Sequence, residues 1–153
     1  MIAEVAISLL LSLRPDVAHL TPAVVELGGQ VVAAEARGES FAEQVSVASV
    51  IGNRVRCREH SWGRRTRRNP WVGVMRAPLQ FAKPAPESVT RDVHRLAFII
   101  GAVMPLGWRG GAYFFATTNA ADEGFVARRA TDGYEPIPDV NSPHVYFRRM
   151  GDG

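Results

Sequence analysis

Glu35-Ala36-Arg37-Gly38-Glu39 closes one amphipathic helical pattern and leads directly into the start of another. Reading back from Gly38, apolar residues at Val24, Leu27, Val31 and Ala34 recur at steps of three and four, the spacing of one buried helix face. Thr21-Pro22 has the residue types of a helix start, a threonine N-cap with proline at the first helical position, and Gly38 suits a left-handed C-cap. Ser40 followed by Glu43 is a capping-box pattern, after which Phe41, Val45, Ala48, Ile51 and Val55 form a second buried stripe. The sequence therefore predicts two helices joined by a tight corner, which would hold Glu35 in a fixed position.

Glu35 falls at the edge of the first apolar face, one turn beyond Val31 and Val32. Glu26 lies about half a revolution away and is expected in solvent. A carboxyl group in apolar surroundings has its neutral form favoured, and a carboxylic acid that keeps its proton is what general acid catalysis requires. The same position also fits an ordinary helix-end carboxylate paired with Arg37 or with an arginine of the next segment. Periodicity alone leaves both readings open.

Composition sets the outer limits. A chain of 153 residues with 46% hydrophobic content is one domain over its whole length, large enough to bury a core without staples. The single cysteine, Cys57, excludes an internal disulfide, and with His60 it makes a Cys-x-x-His fragment without the further ligands of a structural zinc site. His19, His60, His94 and His144 have no metal-binding spacing, so neither metal nor cofactor is expected.

The net charge of +3 hides an asymmetry: Lys83 is the sole lysine, and seven arginines lie between Arg54 and Arg68 with Glu59 as the one acid. Such a run is expected to face solvent or an anion, and an anionic cell envelope is favoured over nucleic-acid phosphates because peptidoglycan stem peptides carry carboxylates, so no nucleic-acid partner is expected. At the other end, Ile2, Val5, Ala6, Leu9, Leu10 and Leu13 share a helical stripe, read as a packed N-terminal helical extension over residues 1–20. Glu4 ahead of the apolar run argues against a secretory signal, and the run is too short to span a membrane.

Further along, Val89, Val93, Leu96, Ala97 and Ile100 predict a third helix stopping at Gly101, and Ala112 to Thr117 a short strand. The stretch from Asn119 to Pro138 reads as loop, and His144 to Phe147 as a closing strand. This is an α+β arrangement, mainly helical with a small β element.

Four ordered blocks carry a family resemblance. Ala34-Glu35-Ala36-Arg37-Gly38-Glu39 with Gln44 to Ile51 and Asn53-Arg54-Val55, then Pro70 to Val74 and Gln80-Phe81, then Gly111 to Phe115, and finally His144-Val145-Tyr146-Phe147, together resemble the SleB-type, spore-cortex-lytic cell-wall hydrolases. The resemblance runs from about Val24 to Phe147. It departs from the pattern at Glu43, where the family usually has glycine, at Gly52, where it has a bulky aliphatic residue, and in the long basic segment before Pro70.

The resemblance implies a lysozyme-like fold, cleavage of peptidoglycan glycan strands, and Glu35 as the catalytic acid. A hydrolysing glycosidase normally needs two carboxylates. Only Glu35 stands out, with Glu39, Asp122 and Glu123 as weaker candidates, so the expected reaction is that of a lytic transglycosylase on the MurNAc-GlcNAc bond, with lysozyme-type hydrolysis as the alternative. Gln80, Phe81, Tyr113, Asn119 and His144 are the candidate substrate-binding residues; core packing is the alternative for the aromatics, and a structural hydrogen bond explains Tyr113 and His144 as easily. Peptidoglycan is the expected partner. Without a clear signal peptide, a phage lysis or virion role is a route to the wall, and a silent virion component or an arginine-rich nucleic-acid binder are the rival classes.

Overall fold

Thr21 opens α1 (Pro22–Ala36) as expected, its Oγ1 accepting from Val24 N at 3.3 Å. The computed structural model describes residues 16–57, 68–78, 80–104, 111–139 and 141–151; the expected N-terminal helix and most of the basic run lie outside them. The corner after α1 is built differently from the pattern. Arg37 caps the helix in a right-handed conformation, Glu39 N donates to Ala36 O at 3.0 Å, and Gly38 is not among the positive-φ glycines.

The second helix, α2 (Phe41–Arg56), starts at Ser40, whose Oγ accepts from Glu43 N at 3.2 Å. It is the central element. Every residue from Glu43 to Val55 is buried, because α1 and helix α4 (Asp92–Val103) cover one side of it and a sheet covers the other. Phe41, expected in the stripe, is instead 39% exposed at the helix mouth.

Between these helices runs α3 (Pro70–Met75), capped by Asn69, whose Oδ1 accepts from Trp71 N. Trp71 is fully buried, edge-on to Phe98 of α4 at 5.9 Å between ring centroids, and its Nε1 donates to Asp16 O at 2.8 Å. Burying a ring of this size contributes about 1.5–3 kcal/mol or more, provided its N–H finds an acceptor.

Helix α4 starts and ends later than its apolar pattern predicts, and it is rotated. Its buried face is His94, Ala97, Phe98, Gly101 and Ala102, while Val93, Leu96, Ile99 and Val103 are exposed. Backbone proximity selects this face. A Cβ on Gly101 would stand 2.5 Å from Ala48 Cβ and 2.7 Å from Ser49 N, and one on Gly28 of α1 would stand 2.3 Å from the Phe98 ring. Two glycines thus set how closely α4 meets α2 and α1. Gly101→Ala is expected to cost about 1–3 kcal/mol, the range for overpacking where the neighbour is backbone, read as a fall in the urea midpoint at constant m-value.

Strands β1 (Phe114–Thr117), β2 (Tyr134–Ile137) and β3 (His144–Arg149) form an antiparallel sheet in the order β1-β3-β2. Phe115 pairs with Tyr146 and Phe114 with Phe147, so the alternation of the pleat sends His144, Tyr146 and Phe115 toward α2 and Phe114, Phe147 and Tyr134 to the opposite face. The opposite face is covered by α5 (Glu123–Thr131), with Phe125 5.5 Å from Phe147.

Both α5 and β2 lie in the stretch read from sequence as loop. Asp122 caps α5 through Phe125 N at 2.7 Å, and Gly133, at φ 87°, turns the chain into β2. Pro136 is tolerated there because β2 is an edge strand.

Candidate active site

Glu35 is on the last turn of α1, half-buried, and its Oε1 accepts from Ala82 N at 2.5 Å. The same chain segment is tied to α1 a second time, by Ala85 N donating to Gln30 O at 3.0 Å. The loop carrying Gln80 and Phe81 is therefore held along α1, beside the glutamate.

Phe81 leads from this point to the sheet. Its ring lies 6.4 Å from Phe115, and Phe115 lies 5.4 Å from the His144 ring. Gln80 is half-buried in the turn before Phe81, its Nε2 3.5 Å from Pro78 O. Tyr113 is half-buried, its carbonyl held by Arg54 Nε at 2.7 Å and its ring edge-on to Tyr134 at 6.4 Å. Asn119 is exposed in the turn after β1, and Asp122 is engaged as the α5 cap.

His144 is 4% exposed and engages Glu43 rather than open cleft: its Nδ1 lies 2.9 Å from Glu43 Oε1. Its side chain sits behind Phe115, on the sheet face that meets α2.

Two residues of this region escaped the sequence reading. Arg54, grouped there with the solvent-facing basic run, is 3% exposed, and Arg56 is also turned inward, donating to Ala102 O at 2.9 Å and Met104 O at 3.0 Å. The Arg54 guanidinium sits 4.7 Å from the Phe81 centroid and 5.0 Å from that of Phe114, whose ring also meets Arg129 at 4.8 Å. Stacking on aromatic faces suits a weakly hydrated, planar cation. Burial pulls the Arg54 pKa down to about 9, partly opposed by Tyr134 and Glu35 and assisted by Arg129. It remains a cation at neutral pH, close enough to Glu35 for their charges to interact.

Glu43, read from sequence as the acidic member of a capping box, is the second. It is 3% exposed, and its Oε1 accepts from Ser142 Oγ at 2.8 Å, Tyr146 Oη at 2.6 Å and the His144 ring at 2.9 Å. Burial pushes its carboxyl up, but the hydrogen bonds from His144, Tyr146 and Ser142 outweigh burial and hold it below the usual carboxylate range. Glu26, expected in solvent, is partly exposed and paired there: Arg95 of α4 donates to it from Nε at 2.7 Å and from Nη2 at 3.1 Å.

Among the described residues, no group of three or more histidine, cysteine or acidic side chains is arranged to hold a metal, and no helix is long and apolar enough to cross a membrane.

Helices packed around a central buried helix, with a small three-stranded antiparallel sheet, form an α+β fold of the lysozyme-like class. The structure is similar to the crystal structure of the catalytic domain of the Bacillus cereus SleB protein, with a TM-score of 0.57 and 20% sequence identity over 84% of this chain and 91% of that one. The SleB-like fold that the sequence resemblance implied is the fold observed. No family model and no curated protein matches the sequence.

Proposed function

We propose that this chain is a peptidoglycan-cleaving lytic transglycosylase with Glu35 as its acid and base. The observation that carries the reading is the setting of Glu35: a half-exposed carboxylate at the end of α1 that accepts from Ala82 N, on a segment whose Phe81, Ala82 and Lys83 line a cleft. The similarity to the SleB catalytic domain supports the glycosidase class, and the four sequence blocks support peptidoglycan as substrate.

In this mechanism the Glu35 carboxylic acid gives its proton to the oxygen bridging muramic acid C1 to the next sugar, and that C–O bond breaks. The muramic acid 6-hydroxyl attacks C1 and returns its proton to the Glu35 carboxylate. The glycan ends as a 1,6-anhydro ring, and no water is consumed. One carboxyl suffices because the nucleophile belongs to the substrate.

Three carboxylates already occupied, Asp122 of the sequence candidates among them, narrow the choice of a second catalytic acid to Glu39 and Glu123 and so favour this over hydrolysis. Glu43 Oε1 accepts three buried hydrogen bonds, Asp122 caps α5, and Glu26 holds Arg95. Each already has a structural task that a water-activating base would have to share.

Digestion of purified sacculi in 18O-water should release muropeptides with anhydro ends, one water lighter than hydrolysis products and free of label. Labelled reducing ends would make the chain a hydrolysing muramidase, and sacculi left intact would remove the enzymatic reading.

A further inference from the structure

Three clefts follow one another along the segment from Arg76 to His94 and share lining residues. The first, at the backbone that meets Glu35, is lined by Arg76, Phe81, Ala82 and Lys83. Lys83 and Pro84 pass into the second, which includes Arg37, and Arg37 passes into the third, of about 450 Å³. Gln44, Ser88, Arg91 and His94 close that last cleft.

Arg76, Lys83, Arg37 and Arg91 thus line a series of neighbouring clefts, and among the described residues no acidic side chain lines them. Asp92, next to Arg91, turns to Arg95 at 3.1 Å. The third cleft also lies at the N-terminus of the twelve-residue α4, where backbone dipoles favour an anion.

The ligand needs a donor as well as negative charge. Gln44 is 4% exposed; its Nε2 donates to Glu39 O at 3.1 Å, which leaves Oε1 buried without a hydrogen-bond partner. An orphaned buried acceptor costs stability, and a ligand N–H would recover it. His94 Nδ1 accepts from Arg91 N at 2.9 Å. That bond leaves Nδ1 without a proton and places the ring's proton on Nε2, and burial, then the nearby Arg91, Arg95 and Arg37 charges, hold the His94 pKa below its usual range.

We propose that this series of clefts seats the peptide stem attached to muramic acid, with a stem carboxylate between Arg37 and Arg91 and a peptide N–H on Gln44 Oε1. The proposal rests on the peptidoglycan-cleaving reading. A nucleic acid or another phosphodiester polymer satisfies the arginines, but its backbone has no N–H to offer Gln44. A peptide carries both groups within a few ångströms of each other.

The test separates stem binding from glycan cleavage. A synthetic stem tetrapeptide of L-Ala, D-Glu, a diamino acid and D-Ala, free of sugar, is titrated against the full chain by calorimetry. Binding should weaken about tenfold or more in the double variant Arg37→Gln/Arg91→Gln, as expected for losing charge-assisted hydrogen bonds, and should vanish for a peptide with amidated carboxylates. Both arginines are exposed, so circular dichroism should match the wild type.

Glycan strands stripped of their stems by an amidase should have a higher KM than intact strands, and the double variant should narrow that difference. Absence of peptide binding, binding indifferent to the two substitutions, or tighter binding of a DNA oligonucleotide than of the peptide would each overturn the proposal. Cleavage of stripped strands without peptide binding would retain the enzyme and remove the stem site. Peptide binding without cleavage of any strand would remove the enzyme instead.

Discussion

Glu35→Gln should abolish glycan cleavage, lowering the rate by at least the 10²–10⁴-fold that a positioned proton donor contributes, while sacculus binding and thermal stability stay near wild type. The amide keeps the shape of the side chain and an oxygen to accept from Ala82 N, so the loop bearing Phe81 remains against α1. It loses the proton for the leaving oxygen and the base that receives the 6-hydroxyl proton. Muropeptide release from sacculi measures the first expectation, and a pelleting assay with a melting curve measures the second. Near-normal release would sink the assignment of Glu35. A fall in melting temperature matching the loss of activity would point to a structural carboxylate, the reading that periodicity alone left open.

How much of this was legible in the sequence depended on which face of each element was read. The two helices flanking Glu35 were visible because apolar spacing agreed with Thr21-Pro22 at the start of α1 and with Ser40 at the start of α2, although the corner between them closes without a left-handed Gly38. On α2 the spacing identified the face toward α1 and α4, through Val45, Ala48, Ile51 and Val55. It missed the second buried face, where Glu43, Val47, Val50 and Arg54 are spaced four, three and four apart.

That face is polar at both ends, and a method that looks for apolar periodicity reads its charged residues as surface. A signal was available, since Arg54 is in helical register with Val47 and Val50. The rotation of α4 had a different cause. Its most hydrophobic stripe is not its most closely packed one, because Gly101 and Ala97 bring backbones together where Leu96 and Val93 would hold them apart. Helix α5 and β2 rest on an N-cap, a positive-φ glycine and edge-strand tolerance of proline, local signals that loop-like composition concealed.

Removing Glu43 is expected to be the most damaging substitution outside the chemistry. In Glu43→Ala, the donors on Ser142, Tyr146 and His144 lose their shared acceptor inside a site where all are buried. Breaking such an arrangement from one side typically costs about 3–5 kcal/mol, which for a domain of this size corresponds to a fall of roughly 6–20 °C in melting temperature at about 2–4 °C per kcal/mol. Glu43→Gln should cost less, because it keeps an acceptor and changes the charge alone.

The pH dependence gives the sign of that charge. Glu43 sits below its ordinary value of 4.5 when folded, so the unfolded chain binds more protons and stability rises with pH across that interval. The stabilisation is complete above about 4.5 and is lost as pH falls through the folded value. Urea unfolding of wild type and Glu43→Gln at pH 7, 5 and 3 should therefore show a gap that is constant between the first two and narrows at the last. A gap that persists undiminished at pH 3 would mean that the carboxylate charge contributes nothing, and a loss below about 1 kcal/mol in Glu43→Ala would mean that its three partners find other acceptors. A large loss in both variants, coupled with Tyr146→Phe in a double-mutant cycle, would place Glu43 as the post that fixes β3, and through Phe115 and Phe81 the wall of the cleft, against α2.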